Sequence, residues 1–270
     1  MKANDVKKTN FMGIEIVNET KDDLVKILIN RVMKRDNISL MSINLTAISH
    51  FTLEMFSYLD KFDYVTADGM GVVKFSKLIG NKLIEDGYIP AICNKLLHEA
   101  NKLHLRVFLL GATEEINNEA VARVLEKYPG LGACAGRNGY FHFDELNVIL
   151  SEVREFNPHI ILIGISSPNK ERIINKIKQM DFHSINIACG GYLDILGGKV
   201  KDAPQIVRKL AIHWLYRFIQ EPKRLYRPML ISGLKFLFFI CPIYLYHKVF
   251  KGRNLTLKEI LDIIGNNSMI

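Results

Sequence analysis

Asp68 stands in Thr66-Ala67-Asp68-Gly69-Met70-Gly71, between a short apolar run and the start of a helical pattern. A carboxylate at the end of a strand lies over the edge of a sheet, where it can take a proton from a substrate hydroxyl if its proton affinity suits the working pH. The same position suits an N-cap, because an aspartate side chain accepts the free N–H groups of a helix's first turn. Position alone favours the cap. Asn44, closing Ser42-Ile43-Asn44, has the same two readings at the end of another apolar run. In Gly164-Ile165-Ser166-Ser167-Pro168-Asn169-Lys170-Glu171, Pro168 and Glu171 are helix-start residues, while Lys170 is a candidate partner for a phosphate. Residues 135 to 141, Ala-Gly-Arg-Asn-Gly-Tyr-Phe, read as a glycine-rich loop around Gly136. There Tyr140 either offers an aromatic face to a base or sugar or belongs to an ordinary turn.

The elements that would position these residues follow from hydrophobic periodicity. Apolar runs at Ile38–Ile43, Phe62–Thr66, Arg106–Leu110, Ile160–Ile163 and Ser184–Ala188 read as strands. Helical patterns cover Thr46–Leu59, Met70–Leu78, Ile89–His104, Glu114–Lys127, Asp144–Phe156 and Lys170–Gln179. The alternation predicts an α/β fold, a Rossmann-like and mostly parallel sheet with helices on both faces. Three runs stop at glycine: Gly111 followed by Ala112, Gly164, and Gly190-Gly191. Small residues at the carboxyl ends of parallel strands let backbone approach a phosphate, which points to a nucleotide or nucleotide-sugar site.

Chemistry of other kinds is absent from the sequence. It has no DxD triplet, no GxxxxGK[ST] loop, no HExxH and no GxSxG. Neither a metal nor another cofactor is expected, so arginine, lysine and helix N-termini would have to stabilise a departing diphosphate. Cys93, Cys134, Cys189 and Cys241 are widely spaced, as expected of free thiols in a cytoplasmic chain, and residues 1–10 lack the apolar core of a secretory signal.

With 49% hydrophobic and 24% charged residues, the 270-residue chain has the composition of a globular protein, but its net charge is +8. The charge is local. Residues 1–198 hold 23 Lys and Arg against 24 Asp and Glu, whereas residues 199–253 hold 12 against 2. A division follows into a neutral catalytic part, residues 1–203, and a basic, apolar C-terminal appendage, residues 204–270. Within the appendage, Met229–Phe250 is apolar except for Lys235, His247 and Lys248. Its densest part, Phe236–Tyr246, is shorter than a bilayer span and contains Pro242, so a contact with an anionic membrane surface is expected rather than a crossing. A core or oligomer-interface helix is the alternative. Nucleic acid is not expected as a partner, since the basic run adjoins a long apolar stretch.

Taken in order, these motifs resemble the WecG/TagA/CpsF glycosyltransferases, glycosyltransferase family 26. The matching pieces are Asn44, Ala67 to Val72, Phe108 to Ala112, Gly136 to Phe141, Gly164 to Glu171, Gly190 to Asp194, Gly197-Gly198, Ala203-Pro204, Trp214 to Arg217 and Glu221 to Leu225. The resemblance implies a metal-independent, inverting transfer of a hexose or N-acetylhexosamine from a UDP-sugar to a polyprenyl-diphosphate-linked saccharide, at the inner face of the bacterial membrane. It implies that Asp68 is the base, against the cap favoured by position, with Ser42, Asn44, Gly69 and Gly71 in the acceptor and sugar pocket. Gly111, Ala112, Gly136, Tyr140, Gly164, Pro168, Lys170, Glu171, Gly190, Gly191 and Asp194 would hold the nucleotide, and Arg217 and Arg224 would meet the diphosphate.

Three departures bear on the donor. Asp86 and Asp202 stand where the family shows arginine, and Lys170 stands where it shows glutamine. An N-acetylmannosamine donor therefore does not follow, and a glucosyl or other hexosyl donor is compatible. The rival expectation is a non-catalytic, membrane-associated UDP-sugar-binding protein of the same fold. The oligomeric state is left open, a homo-oligomer included.

Overall fold

The computed structural model describes residues 6–50, 53–204, 206–207 and 213–266. Its centre is a six-stranded sheet, all of whose pairs are parallel, in the order β4-β3-β8-β7-β5-β6. The strands are β3 (Ile38–Ile43), β4 (Tyr64–Ala67), β5 (Arg106–Gly111), β6 (Ala133–Arg137), β7 (Ile160–Gly164) and β8 (Ile185–Ala188). A separate antiparallel hairpin, β1 (Lys8–Phe11) and β2 (Ile14–Val17), precedes them.

Alternation along each strand divides the core in two, because successive side chains point to opposite faces. Met41, Ile43, Val65, Ala67, Phe108, Leu110, Ile161 and Ile163 face one layer with the hairpin and the helices Met70–Leu78, Leu146–Phe156 and Asn169–Lys178. Leu40, Tyr64, Val107, Leu109, Ile160, Leu162 and Ile187 face the other, with the helices Lys21–Met33, Ile89–Lys102 and Glu114–Lys127. The expected α/β architecture with both faces covered is the observed one. Helix starts follow side-chain chemistry. Thr20 accepts from the Asp23 N–H at 3.1 Å and Thr113 from that of Ile116 at 3.4 Å, with acidic residues in each first turn.

Several expectations are revised. Residues 133–137 form the edge strand β6, so Gly136 lies in a strand and not in a loop. Its half-buried Ala-Cys-Ala-Gly-Arg has no alternation to mark it. The helix expected over 46–59 is two, Leu45–His50 and Leu53–Leu59, with residues 51–52 outside the described residues. Pro242 does not break its helix: the chain is helical without interruption from Pro222 to Phe250, passing through a π turn at Phe236–Ile240. A proline lacks the N–H and crowds the carbonyl four residues earlier, and a π turn just before it relieves both. Consequently Leu230–Phe250, with mean hydropathy 1.5, is long and apolar enough to cross a membrane.

One face of that helix is committed to the protein. Ser232, Phe236, Ile240 and Tyr244 recur at intervals of four and are buried, whereas Leu237, Phe238, Val249 and Phe250 are exposed. Phe236 and Tyr244 meet Phe75 edge-on, with ring centroids 5.0 and 5.9 Å away. Leu257 and Ile260 join the same core, and the Leu257 N–H donates to Met12 O at 2.7 Å.

At the strand ends the backbones of Gly111 and Gly164, which pair in register, approach closely. Gly111 has φ +139°, and a Cβ there would lie 2.5 Å from Gly164 O. Gly111→Ala is expected to cost at least about 2 kcal/mol in urea unfolding. Gly233→Ala, in a helix with nothing within 4 Å of the added carbon, is expected to be neutral or to stabilise by up to about 1 kcal/mol. A loss below about 0.5 kcal/mol for Gly111→Ala would contradict the tight approach.

Candidate active site at the strand ends

Parallel pairing brings the carboxyl ends of all six strands to one edge, and the candidate residues gather there. Chain direction across the sheet reverses between β5, which is followed by β6 on one side, and β7, which is followed by β8 on the other, the kind of switch point at which open α/β sheets bind ligands. Asp68 follows β4, and its N–H donates to Ile43 O at 2.8 Å, which sets it beside Asn44 at the end of β3. Ser42 pairs in register with Thr66.

Asp68 and Asn44 separate the two readings they shared. Asn44 is a cap: its Oδ1 accepts from the Ala47 N–H at 2.8 Å at the start of Leu45–His50, which leaves its amide NH2 for other partners. Asp68 is not a cap. The cap of Met70–Leu78 is Gly69, at φ 90°, and Gly71 in the first turn leaves room for Leu45. Asp68 is half-buried as a residue, but its Oδ1 is shut off from solvent and has no hydrogen-bond partner among the described residues. Burial, reinforced by the negative Asp86, raises the Asp68 carboxyl from 3.8 to about 7, against the opposing pull of Lys21 and Arg217. An aspartate in this state exchanges a proton near neutral pH, as a general base must.

The loop carrying Asp86 is pinned to the end of β4. Gly87 N donates to Ala67 O at 2.5 Å, and a Cβ on Gly87 would strike Thr66. Lys21, the first residue of its helix, lies 3.0 Å from Asp86 Oδ1 and 3.1 Å from Glu85 Oε2. Nothing in the local pattern marks Lys21, because its partners lie more than sixty residues further on. Asp202 is also engaged: its Oδ1 accepts from Tyr88 OH at 3.1 Å and from Ala203 N at 2.8 Å.

At the end of β8, the neighbour of β3 in the sheet, Gly190 has φ +53° and Gly191 is overlain by the Arg217 guanidinium. Arg217 Nη2 donates to Gly191 O at 3.3 Å and lies 3.7 Å from Asp194 Oδ2 and 3.4 Å from Glu221 Oε2. A side chain on Gly191 would displace it. Arg224 belongs to the helix Pro222–Lys235, and its side chain lies outside the described residues.

Along β5 to β7, Ala112 has the left-handed φ of 59° and its carbonyl accepts from Gly139 N at 2.9 Å. Asn117, a second residue the sequence did not single out, spans the ends of β5 and β6. Its Nδ2 lies 2.8 Å from Gly111 O and 2.9 Å from Arg137 O, and its side chain occupies the space a Cβ on Gly136 would need. Pro168 precedes the helix Asn169–Lys178, in whose first turn Glu171 is buried. Ser167 Oγ donates to Glu171 Oε1 at 2.7 Å and Lys170 Nζ lies 3.7 Å from it, while Oε2 is buried with no partner among the described residues. Tyr140 is 78% exposed on the loop after β6.

Among the described residues no group of three His, Cys, Asp or Glu could hold a metal ion. All four cysteines are free, with Cys93 and Cys189 buried and Cys134 and Cys241 half-buried. A hollow of about 1120 Å³ lies elsewhere, among the hairpin, residues 56–63 and residues 256–262, and includes none of these strand-end residues.

Known proteins share this chain's sequence over most of its length. The profile of the Glycosyl transferase WecG/TagA/CpsF family matches residues 9–248. A relative from Staphylococcus aureus (strain MW2), named N-acetylglucosaminyldiphosphoundecaprenol N-acetyl-beta-D-mannosaminyltransferase, is 29% identical over 229 residues, covering 82% of this chain and 87% of its own. A protein of the same name from Bacillus subtilis (strain 168) is 28% identical over 171 residues, which is 63% of this chain and 66% of that one. With the profile spanning both the strand-end edge and most of the C-terminal helix, the chain belongs to the WecG/TagA/CpsF family of glycosyl transferases.

Proposed function

We propose that the chain transfers a hexose or N-acetylhexosamine from a UDP-sugar to a saccharide carried on a polyprenyl diphosphate, with inversion and without a metal ion. The observation that carries this is Asp68: a carboxylate with one oxygen shut off from solvent and unpartnered, poised near neutral pH at the ligand edge of a parallel sheet. Asp68 accepts the proton of the acceptor hydroxyl as that oxygen bonds to the anomeric carbon and the bond to the UDP diphosphate breaks. Ser42 and the Asn44 amide stand beside it to orient the sugar or acceptor. UDP is placed along the ends of β5, β6, β7 and β8, against Gly111, Ala112, Gly136, Tyr140, Gly164, Pro168, Gly190 and Gly191. Lys170, Glu171 and Asp194 flank it. Arg217, and Arg224 from the following helix, supply the positive charge that the leaving diphosphate needs.

The relatives are named for an undecaprenyl-diphosphate acceptor and an N-acetylmannosaminyl donor. A lipid-linked acceptor of that kind suits the exposed apolar face of Leu230–Phe250. With its opposite face packed on Phe75, the helix is placed to lie in the headgroup region of an anionic membrane, as a peripheral contact at the cytoplasmic side rather than a crossing. The division at residue 203 is then one of task, catalysis before it and membrane contact after it. The two parts share a core through Phe236, Ile240 and Leu257.

Three outcomes are expected. Asp68→Asn should lower UDP release, measured with a lipid-linked acceptor and a panel of UDP-sugars, by about 10² or more. Unchanged turnover would remove the base, and UDP-sugar binding without turnover on any acceptor would favour the non-catalytic reading. The same variant should change stability with the opposite sign. Because the folded carboxyl titrates at about 7 rather than 3.8, its contribution is fully present below 3.8 and is lost as the pH rises through 7. Asp68→Asn should therefore melt above wild type at about pH 8 and close to it at about pH 4, and equal melting at both pH values would count against a buried carboxylate. Truncation before residue 236 would strip the core, so the membrane contact is better tested by replacing the exposed Leu237, Phe238 and Phe250 with serine. That variant should stay folded by circular dichroism and fail to float with anionic vesicles, and flotation equal to wild type would locate the contact elsewhere.

A further inference from the structure

Glu221 has no part in the proposed chemistry, yet its side chain is turned to a residue that does. It lies at the bend between the helices His213–Gln220 and Pro222–Lys235, with φ −131° and ψ 55°. Pro222 keeps it out of the α region. Its backbone is tied on both sides: Glu221 N donates to Arg217 O at 3.1 Å, and Leu225 N donates to Glu221 O at 3.1 Å. The carboxylate makes no cap hydrogen bond to the helix it precedes. Instead, Oε2 lies 3.4 Å from Arg217 Nη2, with 13% of the Glu221 side chain exposed. The same nitrogen donates to Gly191 O at 3.3 Å and lies 3.7 Å from Asp194 Oδ2, while Lys199 Nζ approaches the other Asp194 oxygen at 3.6 Å. A guanidinium has five N–H donors, spread over Nε, Nη1 and Nη2. The three acceptors meet at Nη2, whereas Nε and Nη1 donate no hydrogen bond among the described residues.

Charge alone does not explain this arrangement. A carboxylate beside the arginine assigned to a leaving diphosphate repels that anion. Orientation explains it better, because a guanidinium holds an oxyanion through directed N–H groups and not as a point charge. We propose that Glu221 is a positioning residue: with Asp194 and the Gly191 carbonyl it holds Nη2 of Arg217, which leaves the Nε and Nη1 donors for the diphosphate of the donor. The inference rests on the reading of Arg217 as the diphosphate's partner, and adds what holds the guanidinium in place. Positioning and bare charge differ in sign. If Glu221 acted only through its charge, removing that charge would tighten the binding of a diphosphate; if it holds Arg217, removing it weakens that binding.

The test is calorimetric titration of UDP and of uridine into the full-length protein without acceptor, in which the preference for UDP over uridine reads the diphosphate alone. Arg217→Ala should lower that preference by about tenfold or more. Glu221→Gln, which removes the charge and keeps the shape, should lower it by about threefold or more and leave uridine affinity unchanged. Glu221→Asp, which keeps the charge and shortens the reach, should lower it as well. In the Arg217→Ala background, Glu221→Gln should have no further effect. A preference that is unchanged or raised in Glu221→Gln, or lowered equally with and without Arg217, would overturn the proposal and leave the role of Arg217 standing. Should Glu221→Gln fail to fold by circular dichroism, Glu221→Asp decides, and a wild-type preference there overturns the proposal. A wild-type preference in Arg217→Ala would instead overturn the reading of Arg217, and the proposal with it.

Discussion

A sheet whose strands all run the same way has one edge at which every strand ends, and this constraint shapes the rest of the molecule. The residues that turn away from the sheet there share a small space, and their backbones approach closely: Gly111 against Gly164, and Gly191 under Arg217. Into this edge the chain places a carboxylate with one buried oxygen, Asp68 Oδ1, that no described residue satisfies. Removing a charge from water without a partner is costly, and the cost appears as a raised proton affinity rather than as a lost fold. A group that destabilises the protein at neutral pH is hard to explain by structure alone and is easy to explain by proton transfer.

The C-terminal segment is tied mechanically to this edge. Phe75 lies on the helix Met70–Leu78, which begins two residues after Asp68, and it receives Phe236 and Tyr244 from the helix that carries the exposed apolar face. Ser49, on the short helix capped by Asn44, donates through its hydroxyl to Ser232 O of the same segment at 3.0 Å. A membrane contact made by that face therefore orients the strand ends relative to the lipid. Arg217 arrives from the same part of the chain, the one that carries the basic excess of residues 199–253.

Much of the scaffold was legible in the sequence because burial on both faces leaves an unambiguous mark. Val107–Leu110 and Ile160–Ile163 are unbroken apolar runs, and the strands they predict have those residues at their centres. Edges leave weaker marks. β6 carries a glycine and a half-buried surface, and the hairpin β1-β2 is four residues a side, so local pattern identifies neither. For the site, strand-end position and family motif pointed to Asp68, but only the geometry separates it from Asn44, which does cap a helix. Lys21 was invisible for a different reason: its meaning lies in Glu85 and Asp86, more than sixty residues away. Pro242 misled because a proline breaks a regular α-helix, whereas a π turn lets the helix continue.

If Asp68 is the base, its shielded carboxylate must take up the acceptor proton near neutral pH. The most direct measurement is the pH dependence of kcat/KM for UDP release by the wild-type protein, since that ratio reports ionisations of the free enzyme. Activity should rise with pH through a single acid limb with its midpoint near 7. A profile flat from about pH 5 to pH 8, or one whose limb lies in the ordinary carboxylate range near 4, would contradict it.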